Sequence, residues 1–155
     1  MMSSSAWAET VKIGYIDTQR VINNLPLYQK SVDEISKEFE PKKQELLNFF
    51  KRIELLRMEV NAINNTEKKE NLQIELSKLA LLEESFKQET EFWQETMNTK
   101  KIELLQKIEL LINNTINELA ISENYDLIFY ENAAFVSDEI NITSKVIERI
   151  QKNSL

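Results

Sequence analysis

From Val32 onward, apolar residues recur in a strict three-four alternation: Val32, Ile35, Phe39, Lys42, Leu46, Phe49, Ile53, Leu56, Val60 and Ile63. Nine of these ten positions are apolar over more than four heptads, the signature of a helix that packs along a coiled-coil seam. Pro41 lies inside the run, where it removes one backbone hydrogen bond and crowds the preceding turn. Because the heptad phase continues past it, a kink is expected there and not a termination. The polar stretch Asn64–Asn71 breaks the stripe and predicts a turn. Leu72, Leu76, Leu79, Phe86, Trp93 and Met97 then resume the spacing, with Glu83 and Thr90 in two seam positions. Leu105, Ile108, Ile112, Ile116 and Leu119 continue it in a shifted phase, so a second helix is predicted over 71–121.

Two such helices joined by a short polar turn predict an antiparallel hairpin. A turn centred near residue 67 sets Lys51 and Arg52 opposite Glu83 and Glu84, and Lys42 and Lys43 opposite Glu91 and Glu95. An arm of roughly 35 to 40 residues would be about 55 Å long at 1.5 Å per residue.

The two ends of the chain follow a different period. Val11–Asp17 alternates as a short strand with Val11, Ile13 and Tyr15 on one face. Asp17 or Thr18 caps a short helix to about Asn24, and Leu25-Pro26 interrupts it, Pro26 suiting the first turn of the next helix. Asn124 is placed to close the long helix in a left-handed cap. Tyr125–Tyr130 reads as a strand apolar on both faces, which implies burial on both sides. Asn132-Ala133 reads as a turn and Ala134–Ser137 as a second strand, the two forming a hairpin. Thr143 caps a last amphipathic helix carrying Val146, Ile147 and Ile150.

The fold class is therefore mainly α with a small β part: a long antiparallel coiled-coil hairpin on a small β-strand oligomerisation body. Residues 9–25 and 122–155 make the body, 26–121 the hairpin with its tip near 64–71, and 1–8 a terminal segment. So few strands have too small a core to anchor a long arm alone, and association through the body is the expected remedy. Ile13, Tyr15, Leu127, Ile128, Phe129, Phe135 and Val136 are its expected residues.

Composition narrows the chemistry. With no cysteine, no histidine and Gly14 as the one glycine among 155 residues, thiolate nucleophiles, disulfides, Cys/His metal sites and glycine-built phosphate loops are excluded. A small hydrolase is correspondingly disfavoured; no catalytic residue, cofactor or metal is expected, and the 26 Asp and Glu show no pair set apart for catalysis. The net charge of −7 repels a phosphate backbone, so nucleic acid is not an expected partner. No stretch of about 18 apolar residues is present to span a bilayer. Only residues 42–70 lean basic, with seven Lys and Arg against five Glu. Near the start, Ala6-Trp7-Ala8 fits the small-x-small pattern of signal-peptidase cleavage before Glu9.

These residues also carry a resemblance. Lys12-Ile-Gly-Tyr-Ile-Asp-Thr-Gln-Arg-Val21, continuing to Glu38-Phe39-Glu40-Pro41, resembles the opening of the Skp (OmpH-like) periplasmic chaperones. Tyr125-Asp126-Leu127-Ile128 resembles the family's Gly-Tyr-Asp-Leu strand, with Asn124 in place of the glycine, and Asn141-Ile142-Thr143 with Val146 its Asp-Ile-Thr-x-x-Val helix start. The specific motifs cover the two ends, about 60 residues. The resemblance implies a homotrimer with three helical tentacles hanging from a small barrel-like body. It implies an ATP-independent holdase for unfolded outer-membrane β-barrel proteins in the periplasm, exported by a cleaved signal peptide of which Ala6-Trp7-Ala8 is the remnant. Well-known members are basic and this chain is acidic, so lipid or lipopolysaccharide contact is not carried over.

A holdase needs apolar surface that its own packing does not consume. Off the seam, Leu47, Phe50, Leu55 and Met58 on the first helix and Ile74, Leu81, Leu82 and Phe92 on the second are the candidate client-binding residues, with Pro41 as hinge. The alternative is a coiled-coil scaffold without chaperone activity, which leaves the apolar C-terminal strands and the export remnant unexplained. A prefoldin-like holdase would carry its β-hairpin in mid-chain, where this chain has a polar turn.

Overall fold

The computed structural model describes residues 10–64, 71–130 and 133–153. The element order is β1 (Ile13–Ile16), α1 (Thr18–Asn23), α2 (Pro26–Asn64), α3 (Leu72–Glu123), β2 (Leu127–Tyr130) and α4 (Thr143–Asn153). The Ala6-Trp7-Ala8 segment, most of the expected tip and part of the Asn132-Ala133 turn lie outside the described residues. The chain divides into two compact units, one holding the segments up to Ser31 and from Leu104 onward, the other Val32–Glu103.

In the first unit, Asp17 caps α1 as expected, its Oδ1 accepting from the Arg20 backbone N–H at 2.8 Å. Pro26 opens α2, where a missing N–H costs nothing. β1 and β2 pair in parallel, with Ile13 opposite Leu127 and Ile16 opposite Tyr130. On the other edge of β1, the Tyr15 N–H donates to the Ile140 carbonyl at 2.7 Å and the Ile142 N–H to the Tyr15 carbonyl at 2.9 Å. The core is aliphatic: Ile16, Val21 and Leu25 pack with Ile108, Ile112, Ile116 and Leu119 of α3 and Ile142, Val146 and Ile150 at α4. The shifted apolar phase at the end of α3 thus has its explanation. It faces this core.

Three expectations are corrected. Ala134–Ser137 forms no strand within the chain, and β2 takes its neighbour from 114 residues away, not from a hairpin partner. Val11, Ile13 and Tyr15 do share one face of the β1 segment, and it is the opposite face, with Gly14 and Ile16, that turns inward. Strand β2 is not buried on both sides, since Leu127, Phe129 and Tyr130 remain exposed. Thr143 also has another task than capping. It is fully buried, and its Oγ1 accepts from the Asp17 N–H at 3.0 Å, while Asn141 Oδ1 takes the Thr143 N–H at 3.1 Å in a local turn.

At the end of α3, Asn124 has φ 55°, the one positive φ at a non-glycine residue among those described. The Tyr125 N–H returns to the Ala120 carbonyl at 2.9 Å, closing the helix as a Schellman turn.

In the second unit, α2 continues through Pro41 without a break. All ten predicted seam positions from Val32 to Ile63 are buried or half-buried, with Phe39, Leu46, Ile53 and Val60 innermost. Burial at every second seam position is the pattern of one helix edge against another.

Candidate functional site

What the hairpin offers to other molecules is decided by what its seam consumes. On the α3 side the seam takes Leu72, Leu79, Phe86, Trp93 and Met97, all half-buried, whereas Leu76, expected in it, is exposed. Phe86 meets Phe49 edge-on at 5.7 Å between ring centroids and Phe50 at 5.9 Å. Near Pro41 the seam turns polar. Trp93 Nε1 donates to the Phe39 carbonyl at 3.3 Å, and Lys42 Nζ bonds Glu89 at 2.8 Å and Glu45 at 3.2 Å. The hydrogen bond to Glu89, then the one to Glu45, raises the Lys42 pKa above its ordinary value. Thr90 Oγ1 is buried beside this layer with no hydrogen-bond partner among the described residues.

The hairpin register agrees with a turn near residue 67, yet the ion pairs differ from those expected. Glu83 receives Arg57, which raises the arginine's pKa, and Lys100 bonds Glu38. Lys42 selects Glu89, not Glu91 or Glu95. Opposition counted along the axis ignores rotation around it: Glu89 borders the seam, whereas Glu91 and Glu95 sit on the outer side of α3. Neither of the latter has an ion-pair partner among the described residues.

Seven of the eight off-seam apolar candidates are exposed, from 46% for Leu47 and Phe50 to 70% for Phe92 and 71% for Leu81, with Ile74, Leu55 and Met58 between. Leu82 is the exception, half-buried because it borders the seam next to Glu83. On α2, Lys43 and Lys51 flank Leu47 at four-residue spacing, Lys43 also pairing with Glu40 at 3.4 Å, while Arg52 lies over the Phe49 ring at 5.7 Å. On α3 the outer residues follow their own three-four row, Ile74, Ser77, Leu81, Glu84, Gln88, Phe92, Glu95, Thr99 and Ile102, with Glu91 at its edge. All ten are exposed, and none is a lysine or arginine. Ile102, 56% exposed, escaped the sequence reading because the seam phase shifts after Met97; its spacing from Phe92 was the available signal.

The first unit presents a second apolar surface. None of the seven expected oligomerisation residues is buried within the chain: Ile13, Leu127 and Phe129 are exposed, Tyr15, Ile128 and Val136 half-buried, and Phe135 is 85% exposed. The groove between α3 and α4 is lined by charges that satisfy one another, Lys145 pairing with Glu123 at 2.7 Å and Arg149 with Glu118 at 4.0 Å. Among the described residues no cluster of acidic side chains is arranged to hold a metal ion, and no helix is long and apolar enough to cross a membrane.

Comparison with known proteins places this architecture. The family model for outer membrane proteins of the OmpH-like type matches residues 12–150. The chaperone protein Skp of Vibrio cholerae serotype O1 is 27% identical over 156 residues, covering 97% of this chain and 89% of the relative. The crystal structure of an OmpH-like outer membrane chaperone from Caulobacter crescentus CB15 superposes with a TM-score of 0.78 at 10% identity, over 98% of this chain and 90% of that one.

Proposed function

The chain belongs to the OmpH-like outer membrane protein family, and from that premise we propose that it is a periplasmic, ATP-independent holdase for unfolded outer-membrane β-barrel proteins. The observation that carries this reading is the apolar surface left over by the hairpin. Seven large apolar side chains stand exposed on two helices whose seam is already filled by other residues. A monomeric helical pair has no use for such surface, and a protein that holds unfolded chains needs it.

Three chains associate through their β-containing bodies, residues 9–25 and 122–155, covering Ile13, Leu127, Phe129 and Phe135. An isolated two-stranded sheet is marginal in water, which supports the need for partners there. Their hairpins enclose the client, and Pro41, where α2 lacks one backbone hydrogen bond, is the hinge that adapts the space to clients of different size. Many weak contacts with Leu47, Phe50, Leu55, Met58, Ile74, Leu81, Leu82 and Phe92 hold the client. Because no single contact is strong, release needs no nucleotide.

The test is aggregation of a urea-unfolded β-barrel outer-membrane protein after dilution, followed by light scattering. The holdase reading expects near-complete suppression at a stoichiometric amount of this protein. Undiminished scattering in the presence of a discrete oligomer would leave a structural scaffold as the function.

A further inference from the structure

We infer that the outer row of α3 is a docking surface for unfolded segments in which apolar or aromatic side chains alternate with lysine or arginine. The inference rests on the holdase reading and assigns the chemistry of what one face of the hairpin takes. Ile74, Leu81, Phe92 and Ile102 supply the apolar contacts along the row. Glu84 follows Leu81 and Glu95 follows Phe92 by three residues, and Glu91 precedes Glu95 by four, so carboxylate and apolar side chains share one helix face.

The state of these carboxylates identifies the partner. Carboxylates that border the seam or face a cation are engaged, Glu83 with Arg57, Glu89 with Lys42, Glu38 with Lys100 and Glu75 with Lys78. The row, like Asp33, Glu59 and Glu103 outside it, keeps carboxylates with no cation among the described residues. Glu84 is held only by the neutral Gln88 side chain, and Glu91 and Glu95 have no partner among the described residues. Phe92 is 70% exposed and Glu95, three residues on, is its neighbour on the helix surface. A cation that settles against the ring gains both the aromatic face and the neighbouring charge. An acidic segment meets repulsion on the same surface. On α2, Lys43 and Lys51 stand four residues either side of the exposed Leu47, which gives that surface the opposite chemistry. The two helices of one hairpin thus sort client segments by charge while holding both by apolar contact.

The probes are two fluorescently labelled unfolded peptides with the same apolar residues, one with Lys and one with Glu at the intervening positions. Binding to the full chain is read by anisotropy. At low salt the Lys peptide is expected to bind at least about fivefold more tightly, and the difference should fall below about twofold near 0.5 M salt, where exposed charges are screened. Glu91→Gln with Glu95→Gln should weaken the Lys peptide about three- to tenfold and leave the Glu peptide unchanged or tighter. A control that removes the same charge from α2, Asp33→Asn with Glu59→Gln, both exposed and off the row, should change the Lys peptide less than twofold, since exposed charges outside the row are screened. Phe92→Ser should weaken both peptides.

Equal binding of the two peptides, or equal losses in the row variant and the control, would overturn the assignment while leaving the holdase standing. Binding of neither peptide, with client aggregation still suppressed, would overturn it too. If neither binds and aggregation proceeds, the holdase reading itself fails.

Discussion

A Cβ added at Gly14 would stand 2.8 Å from Ile142 Cδ1, 3.2 Å from Tyr125 Cε1 and 3.4 Å from Ile128 Cγ1. Close packing therefore requires the glycine, and its backbone is ordinary. The nearest atom is the end of a flexible side chain, so Gly14→Ala is expected to cost about 1 kcal/mol and Gly14→Val about 3 kcal/mol in urea unfolding. At Asn124 the reason is reversed. Its left-handed backbone makes Asn124→Gly neutral or slightly stabilising and Asn124→Ala costly by about 1 kcal/mol, a difference that thermal unfolding resolves. Glu123 ties both ends of the chain, taking Lys145 at 2.7 Å and Lys12 at 3.8 Å. The hydrogen bond from Lys145, then the charges of Lys145, Lys12 and Arg149, hold its pKa below the ordinary 4.5. A carboxylate depressed on folding stabilises above its unfolded pKa and loses that contribution as pH falls through the folded value. The stability difference between the protein and Glu123→Gln should be constant from pH 7 to about 5 and shrink below about 4.5.

Between elements, the hairpin seam combines apolar layers with one polar layer beside Pro41. Thr90 buries a hydroxyl that finds no partner among the described residues, and an unmet buried polar group costs about 1–3 kcal/mol. Thr90→Val is therefore expected to raise stability by about 1 kcal/mol, read as a shift in the urea midpoint at constant slope. Pro41→Ala restores a helical N–H and removes a clash, so it should stabilise α2 and stiffen the hairpin. An unchanged spread of hairpin distances in small-angle scattering of that variant would contradict the hinge. The seam itself was legible because helical periodicity is local: ten residues of α2 at three-four spacing point inward wherever the helix lies. Ion-pair partners were less legible. They depend on rotation about each axis, which is why Glu89 and not Glu91 meets Lys42. The sheet was least legible, since β1 finds β2 across 114 residues and neither strand announces which edge or which face it will use. Ala134–Ser137 shows the consequence, reading locally as a strand but finding no strand partner within its own chain.

For the whole molecule, one chain leaves two apolar surfaces uncovered, one on each compact unit, and the account assigns them different partners. In the proposed function the surface of the first unit meets other copies of the chain. Phe135→Asp should therefore lower the mass in sedimentation from three times the 18.3 kDa chain to that of one, with the helix content largely kept. The surface of the second unit is the one proposed for clients, and the chain's net charge of −7 bears on which segments it would attract. That first assignment was only half legible in the sequence. The exposed aromatics of β2 and Phe135 were visible as apolar residues, but their alternation reads as core, because a surface awaiting a partner has the pattern of an interior. The exposure of the off-seam apolar residues was easier to see, since residues off a heptad seam are solvent-facing by geometry.

The central claim is that this oligomer holds an unfolded β-barrel outer-membrane protein in soluble form. Native mass spectrometry of the soluble fraction, after dilution of such a client from urea, measures this directly. The account predicts a complex of three chains with one client. A soluble fraction holding only the oligomer, with the client recovered in the precipitate, would contradict it.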